Sequence, residues 1–116
     1  MIAVIIEMWL AEGRQSDYQM LAARLRDELQ AIDGFVSVER FESLTEPGKL
    51  LSLSTWRDEA AVTRWRNQTK HRETQALGRG GVFAGYRVRV TSVLRDYEMS
   101  DRRDQVPEDS RAVHGF

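Results

Sequence analysis

The sequence predicts an α+β fold, a four-stranded antiparallel sheet with its helices on one face. Three observations carry this reading. Four segments show strand-like apolar patterning, and the stretches between them show apolar residues at three-and-four spacing. The segments come in the order β-α-β-β-α-(α)-β. A Pro47-Gly48 turn joins the two middle strands closely enough to make them an antiparallel pair.

Ile2 to Trp9 reads as strand one. Its apolar character is nearly continuous (Ile2, Val4, Ile5, Ile6), which suits a central strand buried on both faces. The stretch from Ala11 to Gln15 is a connector. Ser16 is the predicted N-cap of helix one, with Gln19 completing a capping box. Tyr18, Leu21, Ala22, Leu25 and Leu29 then mark one apolar helix face from about Asp17 to Ala31. Asp33-Gly34 ends the helix, since Gly tolerates positive φ.

Phe35 to Glu42 alternates as a half-buried strand, with Val36 and Val38 on one side and Ser37 and Glu39 on the other. Leu50 to Trp56 is strand three, with Leu51 and Leu53 sharing one face and Ser52 and Ser54 the other. Asp58 is placed to cap helix two, from Glu59 to about Asn67, with Ala61, Val62 and Trp65 as its apolar face. Lys70 to Leu77 reads as a short third helix, closed by the glycines from Gly78 to Gly81. Val82 to Tyr97 carries strand four, with Tyr86, Val88, Val90 and Ser92 on one face and Arg87, Arg89 and Thr91 on the other. This order is that of a ferredoxin-like domain over residues 1–98. Residues 99–116 form a polar tail, in which Pro107 and its acidic neighbours predict no helix. The tail is read either as disordered or as docked, through its apolar end at Ala112 to Phe116, on the body or a partner subunit.

Helices cover one face of such a sheet, and nothing in one chain covers the other. An uncovered apolar face predicts a partner, here a homodimer joined through the sheet faces. A chain of 116 residues has room for one domain and one modest core. Its 17 basic and 18 acidic residues, net charge −1, argue against a nucleic-acid binder. Only Lys49 and Lys70 among the basic residues are lysines, a bias read as composition. No apolar run approaches the ~20 residues of a membrane span, and Met1 to Leu10 reads as a strand rather than a leader. The expected location is cytoplasmic. The chain has no cysteine, which removes thiol nucleophiles and thiolate metal sites, and only two histidines, His71 and His114.

The informative stretch runs from Trp56 to His71. Trp65 either fills the core or lines a pocket against a planar ligand, with its indole N–H as a donor. His71, the one histidine in the body, is the candidate proton acceptor near neutral pH. The element order, the run from Gly34 to Glu39, the aromatic-ended strand Leu53 to Trp56, and the spacing Trp56, Trp65, His71 together resemble the antibiotic biosynthesis monooxygenase family of dimeric α/β-barrel proteins. The resemblance covers residues 2 to 98. It implies a barrel formed between two sheets, a pocket between sheet and helices in each subunit, and oxidation of quinol or polyphenol aromatics by O2, often without metal or flavin.

By the same resemblance, His71 and Trp65 are the catalytic residues, His71 as base or proton relay. Trp65 and Phe83 form the walls of an aromatic slot. Asn67 and Tyr86 bind a phenolic oxygen, and Arg40 or Arg89 supplies a cation. Relatives that degrade haem carry a ligating histidine about one turn beyond His71, where this chain has Gln75, and an Asn on strand one, where Glu7 and Trp9 stand. Trp9 is assigned to substrate. No cofactor is expected, with haem as the alternative. A non-catalytic dimeric binding protein is the third reading.

Overall fold

The computed structural model describes residues 1–68, 81–99 and 105–109. Strand β1 (Ile2–Leu10), helix α1 (Gln15–Gln30), strands β2 (Phe35–Glu42) and β3 (Lys49–Trp56), helix α2 (helical over 59–68) and strand β4 (Phe83–Ser92) follow in chain order. The strands form one sheet in the order β2-β3-β1-β4, every neighbouring pair antiparallel. This is the ferredoxin-like arrangement. Strand β1 lies inside the sheet between β3 and β4, which accounts for its apolar residues on both faces.

The register sorts the side chains. Ile2, Val4, Ile6 and Met8 of β1 stand beside Trp56, Ser54, Ser52 and Leu50 of β3, and beside Ser92, Val90, Val88 and Tyr86 of β4. Phe35, Val38 and Arg40 of β2 join the same face through Trp56, Ser54 and Ser52. This is the face the helices cover. The opposite face carries Ile5, Glu7 and Trp9, paired with Leu53, Leu51 and Lys49 and with Arg89, Arg87 and Gly85.

Two core clusters hold the helices to the sheet. Val4, Leu29, Ile32, Trp56, Ala61 and Val62 form one; Met8, Tyr18 and Val82 form the other. Ile6 packs against both. Between them β3 presents Ser52 and Ser54 to the helices, while Leu51 and Leu53 point to the opposite face. Small side chains at the centre of the layer leave space that large ones would fill.

Several local expectations change. Helix α1 starts at Gln15 with Arg14 at its N-cap and no capping side chain, so the predicted Ser16–Gln19 box is not formed. The turn through Gly13 (φ 75°) bonds Arg14 N–H to Ala11 O, and Tyr18 N–H then reaches Arg14 O, which puts Ser16 inside the first turn. Val36 and Val38 do not share a face. A bulge between Phe35 and Ser37 turns Val36 out, 52% exposed, while Val38 packs on the core. Strand β4 ends at Ser92 rather than Tyr97 because its partner runs out: Ser92 pairs with Ile2, and Val93 N–H makes a last bond to Met1 O. Asp58 caps α2 as the sequence predicts, its Oδ1 accepting from Ala61 N–H at 2.9 Å. Residues 108–109 are helical directly after Pro107, whose fixed φ suits the entry to a helix, and this overturns the expectation of no helix there. In the same segment Val106 is 3% exposed, and Gln105 Oε1 accepts from Asp96 N–H. The proposed third helix over 70–77 lies outside the described residues. Among the described residues no helix is long and apolar enough to cross a membrane.

Candidate active site

The space between the two core clusters is a cavity of about 100 Å³ between α1 and the sheet. Leu21, Ala22 and Leu25 of α1 form its roof, and Ile6, Met8, Val38, Ser52 and Val88 its floor. Trp65 of α2 lines it, as do Phe83 and Tyr86 of β4 and Tyr18 and Arg40. The walls are mainly apolar and the few polar groups converge, the usual make-up of a small-molecule site.

Aromatic rings build one end. Trp65 stacks on Trp56 with centroids 5.1 Å apart, and Phe35 meets Trp56 edge to face. Trp65 is therefore core on one side and cavity wall on the other. Phe83 meets Tyr18 edge to face at 5.9 Å.

Among the described residues two buried donors have no hydrogen-bond partner, the Tyr18 hydroxyl and the Trp65 indole N–H. Ser54, also buried, is satisfied: its Oγ accepts from Trp56 Nε1 at 2.9 Å. An unpartnered buried polar atom costs free energy, so such atoms mark where a ligand can pay back the loss. Burial pushes the Tyr18 hydroxyl up from its usual pKa. The nearby Arg40 charge opposes this without forming a hydrogen bond of normal geometry. Tyr18 therefore keeps its proton at neutral pH and serves as a donor. Arg40 makes no ion pair among the described residues.

Of the residues predicted for the site, Trp65, Phe83, Tyr86 and Arg40 come together around this cavity. Asn67 is exposed and does not line it. Arg89 and Trp9 are on the opposite sheet face, because odd-numbered residues of β1 and, past the register shift at Phe83, of β4 from Gly85 onward point away from the helices. His71 and Gln75 lie outside the described residues. Sequence reasoning assigned neither Tyr18 nor Ser52 and Ser54 to the site. Tyr18 sat unremarked among the apolar residues of helix one. The serines had a visible signal, two small polar residues alternating with leucines.

Arg89 and Trp9 have structural partners. Glu7 on the open face pairs with Lys49 at 2.7 Å and with Arg89. Trp9 donates its indole N–H to Glu46, and the Lys49 ammonium lies 5.2 Å from the Trp9 ring centroid. Hydrogen bonds from Lys49 and Arg89 hold the Glu7 carboxyl down at about 2, from 4.5. A carboxyl lowered by folding stabilises the fold above the unfolded pKa, and that contribution is lost as pH falls from about 4.5 towards 2. The thermal midpoint is expected to drop across this window, and Glu7→Gln to flatten that part of the profile. Superimposable wild-type and variant profiles, measured by circular dichroism, would remove Glu7 from the acid response.

The fold and the cavity define a class: a ferredoxin-like α+β sandwich with a mainly apolar cavity between its sheet and helices. The chain belongs to the antibiotic biosynthesis monooxygenase family, which it matches over residues 1–77. It is 39% identical over 111 residues, 96% of its length, to a protein of Pyricularia oryzae named jasmonate monooxygenase ABM. It is 29% identical over 73 residues to a 42.8 kDa protein of the whiE locus in Streptomyces coelicolor. The chain spans 52% of the first relative's length and 18% of the second's.

Solved structures share the fold. SnoaB, a cofactor-independent oxygenase from Streptomyces nogalater, superimposes with a TM-score of 0.69 at 12% identity, over 82% of this chain and 94% of that one. An antibiotic biosynthesis monooxygenase assigned in Deinococcus radiodurans gives 0.73 at 13%, over 84% and 97%.

Proposed function

We propose that this protein is an oxygenase that binds a small quinol- or polyphenol-type aromatic in the α1–sheet cavity and oxidises it with O2. The observation that carries this reading is the cavity's combination of apolar walls with a buried Trp65 N–H and an Arg40 guanidinium that have no hydrogen-bond and no ion-pair partner, respectively, among the described residues. Family membership and the oxygenase-like fold support it.

The reaction needs an electron-rich anion in a dry slot. A phenol whose keto tautomer carries a methylene group loses its proton, with His71 as the proposed acceptor on the sequence argument. The Trp65 indole N–H is placed to donate to the phenolate oxygen, and Arg40 lowers the energy of the negative charge. The anion passes one electron to O2, the two radicals join as a peroxide, and loss of water leaves a carbonyl. The atoms balance: a methylene carbon and dioxygen become a ketone carbonyl and water. The substrate supplies every electron that the oxygen gains, so no further reductant enters.

We further propose a homodimer through the open sheet face, where Ile5, Leu51 and Leu53 stand together.

Oxygen uptake with a quinol panel tests the reading. Wild type is expected to consume O2 with at least one quinol. Ser52→Leu, which fills the cavity, and His71→Ala should each lose that uptake while keeping native circular dichroism. Sedimentation equilibrium on the same preparation should give two chains per particle, and haemin should produce no sharp Soret shift. No uptake with any quinol, or a Soret shift, would overturn the assignment. The 39%-identical relative favours a second reading, jasmonate as substrate. The same assay with jasmonate and NADPH, whose two electrons balance a C–H to C–OH conversion, separates the two.

A further inference from the structure

A second cavity of about 230 Å³ is lined by Tyr18 and Arg40 together with Gln15, Gln19, Phe41, Glu42 and Leu50. Tyr18 and Arg40 line both cavities. The boundary that these two residues share, between the mainly apolar inner cavity and the outer cavity with polar walls, is termed the neck.

The chemistry at the neck is one-sided. Arg57 and Arg89 each hold a carboxylate of this chain. Arg40, on the helix-covered face of β2 and partly buried, holds none among the described residues. Glu42, two residues along the same strand, lines the outer chamber but forms no ion pair with Arg40. A partly desolvated guanidinium without a counter-anion is costly unless a ligand supplies one. Its planar fork matches a carboxylate. The Tyr18 hydroxyl, 7% exposed as a residue and unpartnered, adds a neutral donor at the same place.

We propose that the substrate carries a carboxylate, bound at the neck by the Arg40 guanidinium and the Tyr18 hydroxyl, with its apolar ring in the inner chamber. This names the substrate class of the same site and rests on the reading that the α1–sheet cavity binds substrate. Arg40 then sets specificity by charge, and the apolar chamber sets it by shape. Neutral analogues of the same shape bind less well because they leave the guanidinium unpaired.

Titration calorimetry with a matched, non-oxidisable pair tests this, using 3-phenylpropanoate and 3-phenylpropanamide as probes. The acid should bind wild type tighter than the amide by on the order of tenfold or more. Arg40→Gln should remove that preference by weakening the acid far more than the amide. Arg40→Lys should restore most of it, and Tyr18→Phe should lose a smaller part. Equal affinities in wild type, or a preference that survives Arg40→Gln, would overturn the anchor and leave the cavity as the substrate site. Failure of both probes to bind at millimolar concentration would also overturn the proposed class. The oxidation reading stands or falls separately on quinol oxygen uptake, which needs neither probe.

Discussion

Trp56→Ala is expected to cost about 3–5 kcal/mol of stability, as large aromatic-to-alanine changes in cores do. Trp56 is 0% exposed and is the largest fully buried side chain described. It ends β3 at the point where β1, β2 and α2 meet. Phe35 touches one side of it edge to face, and Trp65 stacks on another. Its N–H bonds the buried Ser54 hydroxyl. Alanine would open a cavity beneath α2, leave Ser54 without its donor, and free Trp65 to shift. A domain with a total of about 5–15 kcal/mol would lose much of its margin. Urea unfolding followed by far-ultraviolet circular dichroism checks this, and a loss under about 1 kcal/mol would show that the aromatic cluster repacks. Because Trp65 also walls the cavity, any surviving fold should bind ligand more weakly, linking core packing to function.

Gly34→Ala is expected to cost about 2–4 kcal/mol, from backbone strain and overpacking together. Gly34 has φ +92°, a conformation L side chains rarely adopt. A Cβ there would stand 2.7 Å from Ala61 Cβ and 3.4 Å from Arg57 Nη2. Arg57 can swing away, but Ala61 cannot. It is 0% exposed, and its own N–H is held by the Asp58 cap. The clash falls where the α1–β2 turn meets the β3–α2 turn, joined by Arg57 N–H to Gly34 O at 2.7 Å and by a two-armed Arg57–Asp33 pair. Gly48→Ala is the control. Its φ is +79° and nothing lies within 4 Å of an added Cβ, so only the backbone term applies, about 1–2 kcal/mol. Equal costs in the two variants would show that the contact with Ala61 constrains nothing.

Much of this architecture is legible before any coordinates. Strand β2 occupies the predicted Phe35–Glu42, β3 ends at Trp56, and Asp58 caps α2. These are local matters, set by period-two alternation, a Pro-Gly turn and a short polar side chain ahead of an apolar helix face. The misses are equally physical. The Ser16 box fails because hydrogen bonds around Gly13 start the helix two residues earlier than the side-chain pattern suggests. Strand β4 stops five residues short because a strand extends only as far as its neighbour, and β1 begins at Ile2.

The site was half legible. Trp65, Phe83, Tyr86 and Arg40 surround one cavity, whereas Arg89 and Trp9 point through the sheet to an ion-pair network around Glu7. By itself the sequence determined the element order, the antiparallel sheet and the scarcity of titratable groups for catalysis. Only the tertiary structure decided which face of each strand lies under the helices, and so where the cavity forms and that Tyr18 meets Arg40 across its neck. A two-residue period separates a strand's side chains into two sets but does not say which set is covered. That choice is made by packing and register between residues far apart in the chain, such as Tyr18 on α1 and Arg40 on β2.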